Sequence, residues 1–431
     1  MIGSPLASAA RTTSWKVVIP FYVYAAISFL AGTLLLLFSH DAFKGHYFQP
    51  HILAVTHTMA LGWGTMIILG ASHQLFPVLI ETDLHSEKLA YASFLLAGTG
   101  IPLLIYAFYR FNMGAVAQLG GSLVVGAVLC YLANIFISIS KSKRENVHAV
   151  FVFTAALWLL VTVALGLTLV VNFTGTHQLL PRGSLHYLGL HAHLGIVGWF
   201  LLLVLGVGSR LIPMFLISKY TNTRVLWAIY LLVNAALVGY AVLFLYFPKT
   251  GLNTIPAVLV LAALLLFAWF CRKAFLARIR KKVDHQMKVS LLSVGLLVLP
   301  TLVLLALIGI LTATGREHTG VTLLYGFTIF FGWITAIILG MTFKTLPFIV
   351  WNKVYRPRAY IGKMPSPKDL FSDRVFVAMA FTYLAGFIGF AAGILAVSSG
   401  LLQLGSALLL AAAVLYNWNI GKMVTQKKFN T

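Results

Sequence analysis

Three histidines carry the chemical interest of this sequence. His57, His191 and His193 lie within long apolar stretches. There an imidazole without a partner costs several kcal/mol, and an ionisable group inside a membrane span reads first as a functional group. Imidazole suits haem iron and copper, so all three are candidate ligands of a metal or a haem. On a helix, His191 and His193 point about 200° apart. They are badly placed to share one metal and well placed to face two different inter-helix clefts. His186 precedes His193 by seven residues and shares its face; Tyr187 precedes His191 by four and shares that one. By themselves the residues leave two readings open: ligation of a cofactor, or hydrogen-bonded packing along a solute path. The other ten histidines fall near span ends or loops.

What must position these groups is a membrane bundle. The chain is 60% hydrophobic and only 9% charged over 431 residues, against about 25% charged in a soluble protein. Apolar spans are expected near 15–39, 51–79, 88–109, 113–139, 147–173, 186–217, 224–247, 252–275, 287–313, 319–350, 374–397 and 399–421, each long enough to cross a hydrocarbon core of about 30 Å. The fold class is therefore all-α integral membrane with twelve transmembrane helices. Arg11 and Lys16 precede a first run too long for a signal segment. Cys130 and Cys271 sit far apart in apolar spans and suggest neither a disulfide nor a thiolate metal site.

The net charge of +22 is explained by topology, which removes nucleic acid as a partner and leaves membrane lipid. With the N-terminus cytoplasmic, the outer loops hold Lys44, Arg110, Arg182, Lys249 and Arg316. The inner loops hold runs such as Lys141, Lys143 and Arg144; Arg272, Lys273, Arg278, Arg280, Lys281 and Lys282; and Lys353, Arg356, Arg358, Lys363, Lys368 and Arg374. This asymmetry places both termini in the cytoplasm, as expected for a bacterial inner-membrane protein.

An internal repeat orders the spans. The second reads HTMALGWGTMIILGASHQLFP from His57, the sixth HLGIVGWFLLLVLGVGSRLIP from His193, and the tenth FTIFFGWITAIILGMTFKTLP from Phe327. Gly62-Trp63, Gly198-Trp199 and Gly332-Trp333 coincide, as do Gly70, Gly206 and Gly340, and Pro77, Pro213 and Pro347, at offsets of 136 and 134 residues. The chain reads as three pseudo-symmetric four-helix units, near 15–140, 147–282 and 287–425. Trp63 and Trp199 lie too deep for interface anchors, so packing or a cofactor wall fits them better. Gln74, Arg210 and Lys344 are equivalent at the inner end.

HAHLGIVGWFLLLVLGVGSRLIP, from His191 to Pro213, resembles the helix of haem–copper oxidase subunit I that carries the haem ligands, nearest to the cytochrome cbb-type oxidases. The early His57…Gly62…Gly70…Pro77 spacing is also similar to the NnrS family, which is associated with haem, copper and nitric oxide stress. The resemblance implies a subunit I-like architecture, haem of the b type with copper as a further metal, and a role in nitric oxide or diatomic-gas handling. It implies that His191 faces a cleft with His57 on the second span, and that His193 faces the tenth span near Tyr325 or Phe327. Arg182, with Arg316, would reach haem propionates. The sequence departs from the oxidases as well. Its HxH lies on the sixth span, the seventh has no histidine, and no acid lies deep in any span. A complete copper centre and proton pumping are therefore not expected. No CxxCH occurs, so a quinol or a cytochrome partner subunit would supply electrons. The competing expectations are a cofactor-free transporter and a haem- or copper-trafficking or assembly protein.

Overall fold

A computed structural model describes residues 13–142, 146–175, 177–247, 250–279, 281–355 and 365–426. Arg11, Lys143, Arg144, Lys249, Arg280, Arg356, Arg358 and Lys363 lie outside the described residues. Twelve helices are long and apolar enough to cross a membrane: α1 Trp15–Phe38, α2 Pro50–Ile80, α3 Glu87–Tyr109, α4 Ala115–Ser140, α5 Val147–Phe173, α6 Ser184–Leu216, α7 Thr223–Tyr246, α8 Gly251–Leu276, α9 His285–Thr314, α10 Thr319–Val354, α11 Asp373–Ala396 and α12 Ser399–Val424. Among the described residues the one departure from helix and loop is a single bridge between Ser218 and Arg278. Hydrocarbon offers no partner for backbone groups, so each crossing segment must satisfy its own.

The helices begin where short polar side chains cap them. Ser14, Ser86, Asn146, Asn222, Asp284, Ser372 and Ser398 accept from backbone N–H groups of α1, α3, α5, α7, α9, α11 and α12. Each cap satisfies a donor that the first turn leaves unpaired.

Three helices form the interior. In α2, 78% of the most apolar stretch is buried, and in α6 and α10 61%, against 22–44% in the other nine. The others surround them, and α12 returns to α1, where Asn417 donates to Ala26 O at 2.8 Å. Close approach to the inner three needs glycine. A Cβ on Gly70 would fall 2.5 Å from Phe21 Cβ of α1, and one on Gly206 would collide with Phe151 of α5.

The same three helices share an irregularity. Each widens into a π-helical turn, over Thr58–Thr65 in α2, Leu194–Leu201 in α6 and Thr328–Ile334 in α10. These segments start 136 and 134 residues apart, the offsets of the sequence repeat. A π-turn inserts one residue and re-aims the side chains around it, and such turns are frequent at functional sites. In α10 the distortion is strongest at Gly332, with φ −88° and ψ −107°. Helix α9 is interrupted at Leu297, shortly before Pro300.

Candidate cofactor site

His57 is the last residue before the π-turn of α2, and His193 holds the same place in α6. Their local anchoring is the same: His57 Nδ1 donates to Leu53 O at 2.8 Å, and His193 Nδ1 donates to Gly189 O at 2.7 Å, four residues back in each case. His191 is anchored across helices, with Nδ1 donating to Thr162 O of α5 at 3.1 Å. Gly166 of α5 makes room for this ring, since a Cβ there would lie 2.8 Å from His191 Cε1.

With Nδ1 committed to a carbonyl, each imidazole presents Nε2. His193 Nε2 accepts from the Tyr325 hydroxyl of α10 at 3.2 Å, and its ring lies 5.0 Å from that of Tyr240 of α7. Among the described residues, neither His57 Nε2 nor His191 Nε2 has a hydrogen-bond partner. These two rings are nearly parallel, 17° apart in plane, with centroids 6.5 Å apart. Two imidazoles that ligate one metal through Nε2, at about 2.0–2.1 Å each, hold their centroids about 6 Å apart.

His57, His191 and His193 border one cavity of about 470 Å³, so the clefts on the two sides of α6 are continuous. This volume lies within the range of small-molecule and cofactor pockets. Around His57 and His191 the wall is apolar, including Leu61, Phe108, Val124, Leu159 and Trp199. Tyr325, Phe327 and Phe330 form the α10 side. A carboxylate, Glu317, lies at the loop end, near Tyr47. Burial and that carboxylate hold the Tyr47 phenol above its usual value.

The tryptophans lie below the histidines and form directed links. Trp199 Nε1 donates to Thr65 Oγ1 of α2, and Trp63 Nε1 to Thr335 Oγ1 of α10, both at 3.1 Å. Trp199 borders the histidine cavity, whereas Trp63 packs away from it on Phe29, with centroids 4.6 Å apart. Arg182 is exposed, with Nη1 3.3 Å from His186 Nε2, and neither it nor Arg316 borders the cavity. Glu317, Tyr240, Thr65 and Thr335 were missed by reading residue types. A signal was present for the threonines, which stand two residues after Trp63 and Trp333.

The donors fit haem better than a bare ion. Among the described residues no group of three or more His, Cys, Asp or Glu converges on a point. Haem brings its own equatorial nitrogens and asks the protein for one or two axial ligands. Anchoring the second ring nitrogen on a carbonyl is the usual way to fix tautomer and orientation in a ligating histidine.

No protein-family model matches the chain, and no curated protein does. Solved structures do match it. A haem–copper terminal oxidase, determined by cryo-EM as a dimer, aligns over 99% of this chain and 86% of its own, with a TM-score of 0.67 at 11% identity. With its twelve helices, the chain has the fold of a haem–copper oxidase subunit.

Proposed function

We propose that this is a haem-carrying inner-membrane protein of the haem–copper oxidase superfamily, divergent and near the NnrS group, that handles nitric oxide or another diatomic gas without a complete copper centre. The observation that carries the reading is the pair of Nε2 atoms on His57 and His191. Both face one apolar cavity, and both rings are fixed by an Nδ1–carbonyl bond. The oxidase-like fold and the cofactor-sized, largely apolar cavity support it. A b-type haem held there by His57 and His191 would supply a redox-active iron.

The protein's own groups do the rest of the work. Leu53 O and Thr162 O fix the ring orientations, and the aliphatic and aromatic wall excludes water. The Tyr325 hydroxyl donates a hydrogen bond to His193 and can carry a proton at the far side of the cavity. A quinol or a cytochrome partner subunit would supply electrons. The repeat offsets of the π-turns support a chain of three four-helix units, and the concentration of lysine and arginine in alternate loops supports cytoplasmic termini.

Absorption spectra of detergent-purified protein, oxidised and dithionite-reduced, test this reading. A Soret band is expected in the parent protein. It should be lost in His57→Ala and His191→Ala and kept in His193→Ala. A further shift with carbon monoxide would mark an open iron position. No Soret band in protein made with ample haem would reject the assignment.

A further inference from the structure

A smaller cavity lies beside the tryptophan layer, on the side away from the histidines. It measures about 100 Å³ and is walled by Ile67 and Ile68 of α2, Leu203 and Val207 of α6, and Ile337 and Ile338 of α10. The hydroxyls at its border are already engaged: Tyr22 with Thr345 Oγ1 at 3.0 Å, Thr345 with Met341 O at 3.0 Å, and Tyr416 with Thr342 Oγ1 at 3.1 Å. A buried water needs two to four polar partners, and apart from these few engaged hydroxyls the wall is aliphatic and aromatic. An apolar cavity of about 150 Å³ stays dry and takes up benzene or xenon.

Among the described residues, Phe200 is the one side chain that borders both this central cavity and the histidine cavity. It follows Trp199 within the π-turn of α6. Gly64 and Ile334 follow Trp63 and Trp333 in the same way, so the three equivalent positions carry a small, a large and a medium side chain. The size differences fit together. A Cβ on Gly64 would fall 2.7 Å from Phe200 Cε1, so the absence of one lets the phenyl ring lie against α2. The ring also meets Phe330 of α10 edge-on, with centroids 6.2 Å apart.

We propose that the central cavity is a holding site for a small uncharged apolar ligand of diatomic-gas size, and that the Phe200 ring is the partition between it and the histidine cavity. The site and the partition follow from geometry. The identity of the natural occupant, the gas handled at His57 and His191, rests on the function proposed above. Apolar gases favour hydrocarbon over water, so a ligand that arrives from the bilayer can wait in a dry chamber one side chain from the histidines.

Xenon-pressurised crystals of the full chain test the holding site with or without haem; the comparisons with the histidine cavity use protein made without haem, in which that space is free. Xenon density is expected between Ile67, Leu203 and Ile338. Leu203→Phe fills the chamber and should remove that density while leaving xenon in the histidine cavity. Ile338→Phe should do the same from the opposite wall, so one variant decides if the other fails to fold. In Phe200→Ala the two bodies of density should join. Ordered water in the central cavity of the parent protein, or no xenon there at a pressure that fills the histidine cavity, overturns the holding site. Two separate bodies in Phe200→Ala overturn the partition. Absorption spectra of the same preparations report the haem independently. A haem-free protein that takes up xenon would refute the cofactor and keep the chamber.

Discussion

At the scale of single residues, the site depends on which imidazole nitrogen is free. Residue type and depth were legible in the sequence, since His57, His191 and His193 interrupt apolar spans. Which nitrogen faces the cavity was not, because Nδ1 of His191 is held by a carbonyl on another helix. Gly166 makes this dependence testable. A methyl group there would stand 2.8 Å from His191 Cε1, closer than carbon atoms tolerate, so the ring must yield by several tenths of an ångström. Gly166→Ala is expected to fold and to hold haem about tenfold more weakly, the lower range seen when the support of a ligand is disturbed. Haem transfer to an apo-globin acceptor measures it; an unchanged transfer rate would show that the His191 orientation does not matter for haem.

At the scale of the helix, the repeat was legible but its geometry was not. Gly-Trp recurs visibly, whereas a π-turn inserts one residue into the winding and has no residue type of its own. The consequence appears in the links between helices. Trp199 reaches Thr65 and Trp63 reaches Thr335, but the position equivalent to the two threonines in α6 is Leu201, which accepts nothing. Thr65→Val keeps the shape and leaves the buried Trp199 Nε1 unpaired, at a cost of about 1–3 kcal/mol. Thr335→Val should cost a similar amount through Trp63. Thermal unfolding in detergent should register both, with Leu201→Val well below them. A second link lies at the other end of the helices, in the turn after α1. Asp41 accepts from Lys44 Nζ at 2.6 Å and from Ser399 Oγ at 2.8 Å, which joins that turn to the start of α12. These bonds, Lys44 first, hold the exposed Asp41 carboxyl below its usual 3.8. A lowered pKa means the link is complete above 3.8 and is lost as pH falls through the lowered value. Amide exchange at 399–402, corrected for intrinsic rates, should stay constant from pH 7 to 5 and rise below pH 3.8. Asp41→Asn should show the raised exchange already at pH 7.

At the scale of the whole molecule, span count and order were legible because a 30 Å hydrocarbon layer imposes length on every crossing segment. The continuity of the space around His57, His191 and His193 was not, since a cavity shared by seven helices leaves no mark on any one of them. Orientation is the remaining whole-molecule property, and the charges argue for it. Lys44 lies between α1 and α2, whereas Lys219, Lys281 and Lys282 lie in the loops that follow α6 and α8. Cytoplasmic loops retain lysine and arginine during insertion, and on that rule Lys44 would lie outside and the other three inside. The same orientation would set His57 and His193, each near the start of its helix, in the outer part of the bilayer. Single cysteines at Lys44, Lys219 and Lys281, in a chain whose Cys130 and Cys271 are replaced by alanine, decide the matter. In intact cells a membrane-impermeant maleimide should label Lys44→Cys alone, and after permeabilisation all three. The reverse pattern would turn the molecule over, put the histidine cavity on the cytoplasmic side, and require a cytoplasmic rather than an external electron donor.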